Sequence, residues 1–222
     1  DLLESRGLGD VYKRQSQYGA EGISLFLVDT SAEGVAVSSY NTMDSHSSST
    51  INLENVFVTE ANLIVHEGEG FRHIESCLPQ ILLCLSAEAL GIMEVLNKLT
   101  VEYSKTRKQF GAPIGSFQAL QHRMVDNFMA FEQSKSMVYR GICESTSFNK
   151  NDIDINQFLK TAHAVKALIA KNSKQIGDES IQIHGGIGMT DELNIGHFVK
   201  RLMMINVLFG DGDFHRQCFS QN

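Results

Sequence analysis

The chain reads as an α+β protein, mainly α: part of a β-domain followed by an antiparallel four-helix bundle. Two observations carry that reading. Residues 16–70 hold short apolar runs broken by turn-forming residues, the pattern of strands, in a stretch too small for a complete barrel or sandwich. From residue 71 the apolar spacing switches to three and four and persists over long segments joined by short connections. The 222 residues suffice for one large domain, or for a domain and a fragment.

Residues 1–15 have no period and no initiator Met; they read as a non-native leader and are set outside the fold. Ile23 to Val28, between Gly22 and Asp29, reads as a buried strand, and Gly34 to Val37 as a shorter one. Ser45 to Thr50 reads as a polar turn, Ile51 to Val58 as a third strand broken at Glu54-Asn55, and Leu63 to Val65 as a fourth piece. His66 to Gly70 reads as a flexible linker to the helical domain at 71–222; its glycines lack the strand-to-helix context of a phosphate loop.

The first helix carries Ile74, Leu78, Leu82, Leu85, Ala89, Ile92, Leu96 and Leu99 on one face, with Pro79 either kinking it or starting its main part. The second carries Phe117, Leu120, Met124, Phe128, Phe131, Val138 and Ile142, with Lys135 snorkelling from the stripe. The third, from about Asp152, buries Phe158, Ala162, Val165, Ile169 and Ile176. Lys160, His163, Lys171 and Lys174 are assigned to its solvated face. The fourth spans about Asn194 to Phe209, ends at Gly210-Asp211-Gly212-Asp213, and is followed by a short last helix opening near Phe214.

A net charge of −7 argues against general nucleic-acid binding. No apolar run is seen to approach the roughly 20 residues of a membrane span. The four cysteines form no C-x-x-C pair, which argues against zinc. Cys77 and Cys84 read as core thiols rather than a bridge, and a reducing, cytoplasmic setting is expected. No histidine pair has metal-ligand spacing; surface or hydrogen-bonded roles are expected for His122, His184, His197 and His215.

Two motifs carry chemistry. Tyr103 to Gln118 reads Y-S-K-T-R-K-Q-F-G-A-P-I-G-S-F-Q: a basic helix end, a Gly/Pro turn, then a new helix. A guanidinium beside an amide and an aromatic ring suits a flat, phosphate-bearing ligand. The second motif is Ile181-Gln182-Ile183-His184-Gly185-Gly186-Ile187-Gly188-Met189, a helix end whose glycines admit close approach of a ligand to the backbone. By spacing alone each is equally a capped helix terminus.

The residues themselves go further. R-K-Q-F-G-x-P-I-x-x-F-Q resembles the helix–turn–helix junction of the acyl-CoA dehydrogenases, and the second motif resembles that family's Q-x-x-G-G-x-G loop. Gly22 to Asp29 resembles a strand of its middle β-domain. The resemblance runs from about Tyr18 to Arg216. It implies an FAD enzyme that introduces a Cα–Cβ double bond into an acyl-CoA thioester, with electron-transfer flavoprotein as acceptor. It also implies a homo- or hetero-oligomer, a dimer or tetramer, assembled through the bundle, and a chain lacking the N-terminal helical domain and half the β-domain. Arg107, Gln109, Phe110, Gln118, Gln182, Gly185 and Gly186 are the implied FAD contacts, touching the cofactor of a neighbouring subunit.

The family's Y-E-G-T segment, which supplies a glutamate base, is replaced here by Phe209-Gly210-Asp211-Gly212-Asp213. Asp211, one position later and one methylene shorter, is the candidate base. Otherwise Asp213 serves, or the chain has no base and Asp211 caps the last helix. The F-G-D-x-D ending also resembles the small subunit of pimeloyl-CoA-type dehydrogenases. A second reading follows: a non-catalytic subunit that completes a partner's FAD site.

Overall fold

A computed structural model describes residues 10–14 (backbone), 22–190 and 192–221. By contacts the chain divides into two compact units, residues 1–77 and 78–222.

The first unit is built from hairpins. β1 (Asp10–Arg14) pairs antiparallel with β2 (Ile23–Leu27), so part of the stretch set outside the fold is a strand; the rest of the expected leader lies outside the described residues. β3 (Val35–Asn41) and β4 (Ser47–Leu53) form a second antiparallel pair. Ser47 to Thr50, expected to turn, is therefore strand. The hairpin is largely exposed, so it needs no apolar alternation, and Ser39 and Ser49 bond across it at 2.9 Å. The break at Glu54-Asn55 is present, with Asn55 at φ 54°. His66–Gly70 is not free linker. Gly68 N–H donates to Ser24 Oγ at 2.9 Å, and Glu69 bridges to Ile23. A Cβ on Gly70 would lie 2.9 Å from the Ile23 carbonyl, so glycine permits this close approach.

The second unit is the bundle: α1 (Gly70–Thr106, of which residues from Leu78 on belong here), α2 (Gln118–Asn149), α3 (Ile155–His184), α4 (Ile195–Val207) and α5 (Gly212–Gln221). Pro79 lies inside α1 without ending it. Along neighbouring helices, contacting residue numbers rise in one as they fall in the other. Asn97 meets Asn127, and a Cβ on Gly141 would meet Leu83. Asn172 bonds Ala130 while Glu179 bonds Arg123; Lys166 bonds Ile205 while Gly177 faces Val199. These pairings make the helices antiparallel.

The α3 stripe is buried as expected: Phe158, Ala162, Val165, Ile169 and Ile176 are all fully inaccessible. Its expected solvated face is not uniform, because His163 is buried. On α2 the core face is Asn127, Ala130, Phe131, Ser134, Val138 and Gly141, whereas Phe128 and Ile142 are exposed. Ser134 is satisfied there from α3: Asn172 Nδ2 donates to both Ala130 O and Ser134 Oγ at 3.0 Å, whereas the Asn127 carboxamide is buried with no hydrogen-bond partner among the described residues. Cys77 and Cys84, expected in the core, are exposed. α1 is, by length and composition alone, apolar enough to cross a membrane, with mean hydropathy 1.5 over an 18-residue window, a test that a core helix also passes. Leu82, Ala89, Met93 and Leu96 of that helix are core residues of the bundle.

Candidate functional site

α1 ends at Thr106, and the Arg107 N–H still bonds back to the Tyr103 carbonyl at 2.9 Å. The chain then makes a minimal hairpin, β5 (Lys108–Gln109) with β6 (Ala112–Pro113). Its two loop residues, Phe110 and Gly111, have φ of 54° and 82°. Two positive φ values in a two-residue loop match the right-handed twist of a hairpin, usually with Asn-Gly. Phenylalanine there is strained. Phe110 is 94% exposed, its ring touching Phe117 edge-on at 6.2 Å between centroids. Ile114 N–H closes the turn onto the Arg107 carbonyl at 2.8 Å. Gly115 lets it seat on α1: a Cβ there would meet Ser104 Oγ at 2.8 Å and its carbonyl at 3.0 Å.

Far along the sequence, α3 ends at the same place. Gly185, at φ 66°, terminates it. His184 is buried, stacked on Tyr103 at 4.4 Å between centroids, with Nδ1 donating to Ser180 O at 2.7 Å. Tyr103 Oη reaches the His184 carbonyl at 3.4 Å. This stack joins the ends of α1 and α3.

Between them opens a cleft of about 500 Å³. Arg107 and Gln109 line it from the hairpin, Arg123 from α2, and Gln182, Gly185 and Gly186 from the α3 end. Phe110 sits at the adjacent hairpin tip, and Gln118 opens α2 as an exposed residue outside the lining. Tyr103, His184 and Arg123 are lining residues that the motif reading does not assign. The Tyr103–His184 stack leaves no spacing signal, since its partners lie on different helices. Arg123 does sit one turn into α2, on the side of the motif.

The electrostatics favour an anion through side chains rather than helix ends. α1 and α3 both present C-termini here, which carry partial negative charge. Arg107 offsets this, and Arg123 is anchored by Glu179, whose carboxylate accepts from Nε and raises the arginine's pKa further. No described atom lies within 4 Å of where a Cβ on Gly185 or Gly186 would stand, so backbone is open at this wall. Two guanidinium groups, two carboxamides, open glycine backbone and an exposed aromatic ring fit a dinucleotide such as FAD.

Asp211 lies elsewhere. Its Oδ1 accepts the Phe214 N–H at 2.8 Å, which makes it the cap of α5, and it is exposed. Gly212 beside it faces Ala170, so Asp211 is about 18 Å along α3 from Gln182 at 1.5 Å per residue. Asp213 is exposed and paired with Arg216 at 2.9 Å. Phe209 repeats the strain of Phe110, with φ 58° and 54% exposure. Of the histidines, His122 and His197 are exposed. His215 is fully buried, its Nδ1 2.8 Å from His163 Nδ1. No cluster able to hold a metal occurs among the described residues.

Residues 68–222 match the acyl-CoA dehydrogenase C-terminal domain. The chain belongs to the acyl-CoA dehydrogenase family. It is 28% identical over 213 residues to the 3-(aryl)acrylate reductase of Clostridium sporogenes, a match covering 95% of this chain and 55% of that protein. It is 26% identical to the short-chain-specific acyl-CoA dehydrogenase of Megasphaera elsdenii, over 96% of this chain and 55% of the relative. Among solved structures, PigA with FAD and proline superposes with a TM-score of 0.85 at 26% identity, over 96% of this chain and 55% of PigA. The acyl-CoA dehydrogenase homologue thus spans about half the length of the relatives it matches.

Proposed function

We propose that this chain works in a flavin-dependent acyl-CoA dehydrogenase and that its cleft holds the diphosphate and adenosine portion of FAD contributed by a neighbouring protomer. The single observation that supports this most is the shared lining: Arg107, Gln109, Gln182, Gly185 and Gly186, from two distant segments of the sequence, face one cleft. Arg107 pairs with the diphosphate, with Arg123 as a second, Glu179-anchored cation. Gln109 and Gln182 offer amide donors and acceptors, and Gly185-Gly186 admits the ligand against backbone. Phe110 covers it from the hairpin tip, which gives its strained, exposed position a use. Gln118 adds a polar contact from the second helix.

When bound, FAD supplies the acceptor for the hydride that leaves Cβ of the thioester. The chain's own task is the α-proton. Asp211 is the proposed base: one oxygen caps α5, and a carboxylate has a second oxygen to take a proton. Electron-transfer flavoprotein is the proposed acceptor, and a homo- or hetero-oligomer the working assembly. The exposed thiols of Cys77, Cys84 and Cys143 suit a reducing, cytoplasmic setting.

A second reading is favoured by the same loop. Asp211 is exposed and already engaged as a cap, as in a subunit that completes a partner's flavin site without acting as base; the pimeloyl-CoA-type small subunit is the branch this would suit. Anaerobic addition of acyl-CoA to the flavin-loaded protein separates the two. Bleaching of the yellow colour supports the dehydrogenase. Flavin bound only after mixing with another chain supports the partner subunit, and a protein that takes up no flavin in either state contradicts both.

A further inference from the structure

Lys166 is wholly inaccessible in the middle of α3, and among the described residues none of its hydrogen bonds goes to a carboxylate. Its Nζ donates to the carbonyls of Ile205 at 2.6 Å, Asn206 at 3.4 Å and Gly210 at 3.4 Å. The first two are orphan acceptors of the last turn of α4, and the third belongs to the loop that carries Asp211. A buried ammonium is costly, and three carbonyls at a helix C-terminus are the neutral partners best able to hold it.

The rest of the loop is seated around the same point. Gly210 adopts φ 107°, where a Cβ would meet the Phe214 ring at 2.5 Å and His215 Nε2 at 3.2 Å. His215, in the first turn of α5, packs on His163, one turn of α3 before Lys166. The loop between α4 and α5 is thus fastened to α3 by one cation and one imidazole pair.

We propose that Lys166 is a positioning residue: its buried ammonium clamps the Leu208–Asp211 loop to α3 and so fixes where the Asp211 carboxylate stands. The catalytic consequence rests on Asp211 being the base; the clamp itself does not. The charged and titratable groups acting at Lys166 are Asp211 from the loop and His215 from α5, which packs in turn on His163. Burial lowers the Lys166 pKa to about 8, with the Asp211 charge opposing the shift. Burial also keeps both histidines below their ordinary range.

Two measurements test the clamp. Hydrogen exchange at the Phe214 and His215 amides, which bond Asp211 Oδ1 at 2.8 Å and Asp211 O at 3.1 Å, reports the loop directly. In Lys166→Met their protection should fall by about tenfold or more, since charge-assisted bonds are the stronger class. Lys166→Gln, which keeps an uncharged donor at the same helix position, should also lose protection but less, which keeps the test alive if Lys166→Met does not fold. Unchanged protection in either experiment overturns the clamp. With FAD and acyl-CoA, Lys166→Met should slow flavin bleaching while leaving FAD retention intact; a loosened loop with undiminished bleaching overturns the positioning role. Asp211→Asn is the separate control. If it bleaches at the unsubstituted rate, the base assignment fails, and the exchange data still decide the clamp.

Discussion

Replacing Arg107 by Ala isolates the cleft's main cation. Arg107 is exposed, and its side chain makes no hydrogen bond or ion pair with the described residues, so its removal takes no such contact with it. The melting temperature should therefore hold. What is lost is a charge-assisted bond to phosphate, worth about 1.5–3 kcal/mol in general. Exposure to solvent places Arg107 at the lower end, about 2 kcal/mol, or roughly a thirtyfold weaker Kd for FAD. Arg107→Lys would keep the charge and lose the fork, for a smaller loss of about three- to tenfold. Quenching of FAD fluorescence on titration with apo-protein measures both. Added salt should weaken the unsubstituted protein more than Arg107→Ala, because a screened cation is what differs between them. A Kd within about twofold of the unsubstituted value for Arg107→Ala, at low salt, would refute the role given to this residue.

Gly115→Ala should lower both thermal stability, by about 1–3 kcal/mol, and FAD affinity, because the new methyl group drives the turn off Ser104 and moves the hairpin that carries Arg107 and Gln109; calorimetry and the same titration check it. Asp211→Asn keeps a good cap and Asp211→Ala loses one, so only Ala should cost stability, about 1 kcal/mol in urea melts, while both should abolish bleaching if Asp211 is the base. Burial, with the nearby His163 and Lys166 charges, pushes His215 down to about 4, so the unfolded chain binds its proton more readily. Stability should fall as pH drops from about 6.5 toward 4, by up to about 3 kcal/mol from this group. His215→Asn should flatten that part of the urea-midpoint curve, and parallel curves would contradict the assignment.

The bundle is legible in the sequence because its period is long and its turns are short. The third helix buries every residue of its apolar stripe, Phe158, Ala162, Val165, Ile169 and Ile176, and fills the gap between Ile169 and Ile176 with the buried polar pair Asn172 and Ser173. The second departs from its pattern where the core is polar: Ser134 and Gly141 face inward because Asn172 and Leu83 meet them there, and the Asn127 side chain is buried beside them without a hydrogen-bond partner among the described residues. No apolar count detects such complementarity between two helices. Lys166 and His163 are hidden for the same reason, as polar residues whose partners lie some forty to fifty positions away on α4 and α5. Ser47 to Thr50 forms a strand because an exposed hairpin relies on its ladder rather than on a buried face. In the cleft, motif residues with distinctive chemistry are readable as a set, whereas Tyr103 and His184 acquire meaning only through the stack that closes α1 on α3.

The most direct test is a structure of the FAD-loaded assembly. The adenosine diphosphate should lie between the Arg107 guanidinium and the Gly185-Gly186 backbone of one protomer, with the flavin ring carried by another. FAD bound away from this cleft, or held whole within a single protomer, would contradict the account.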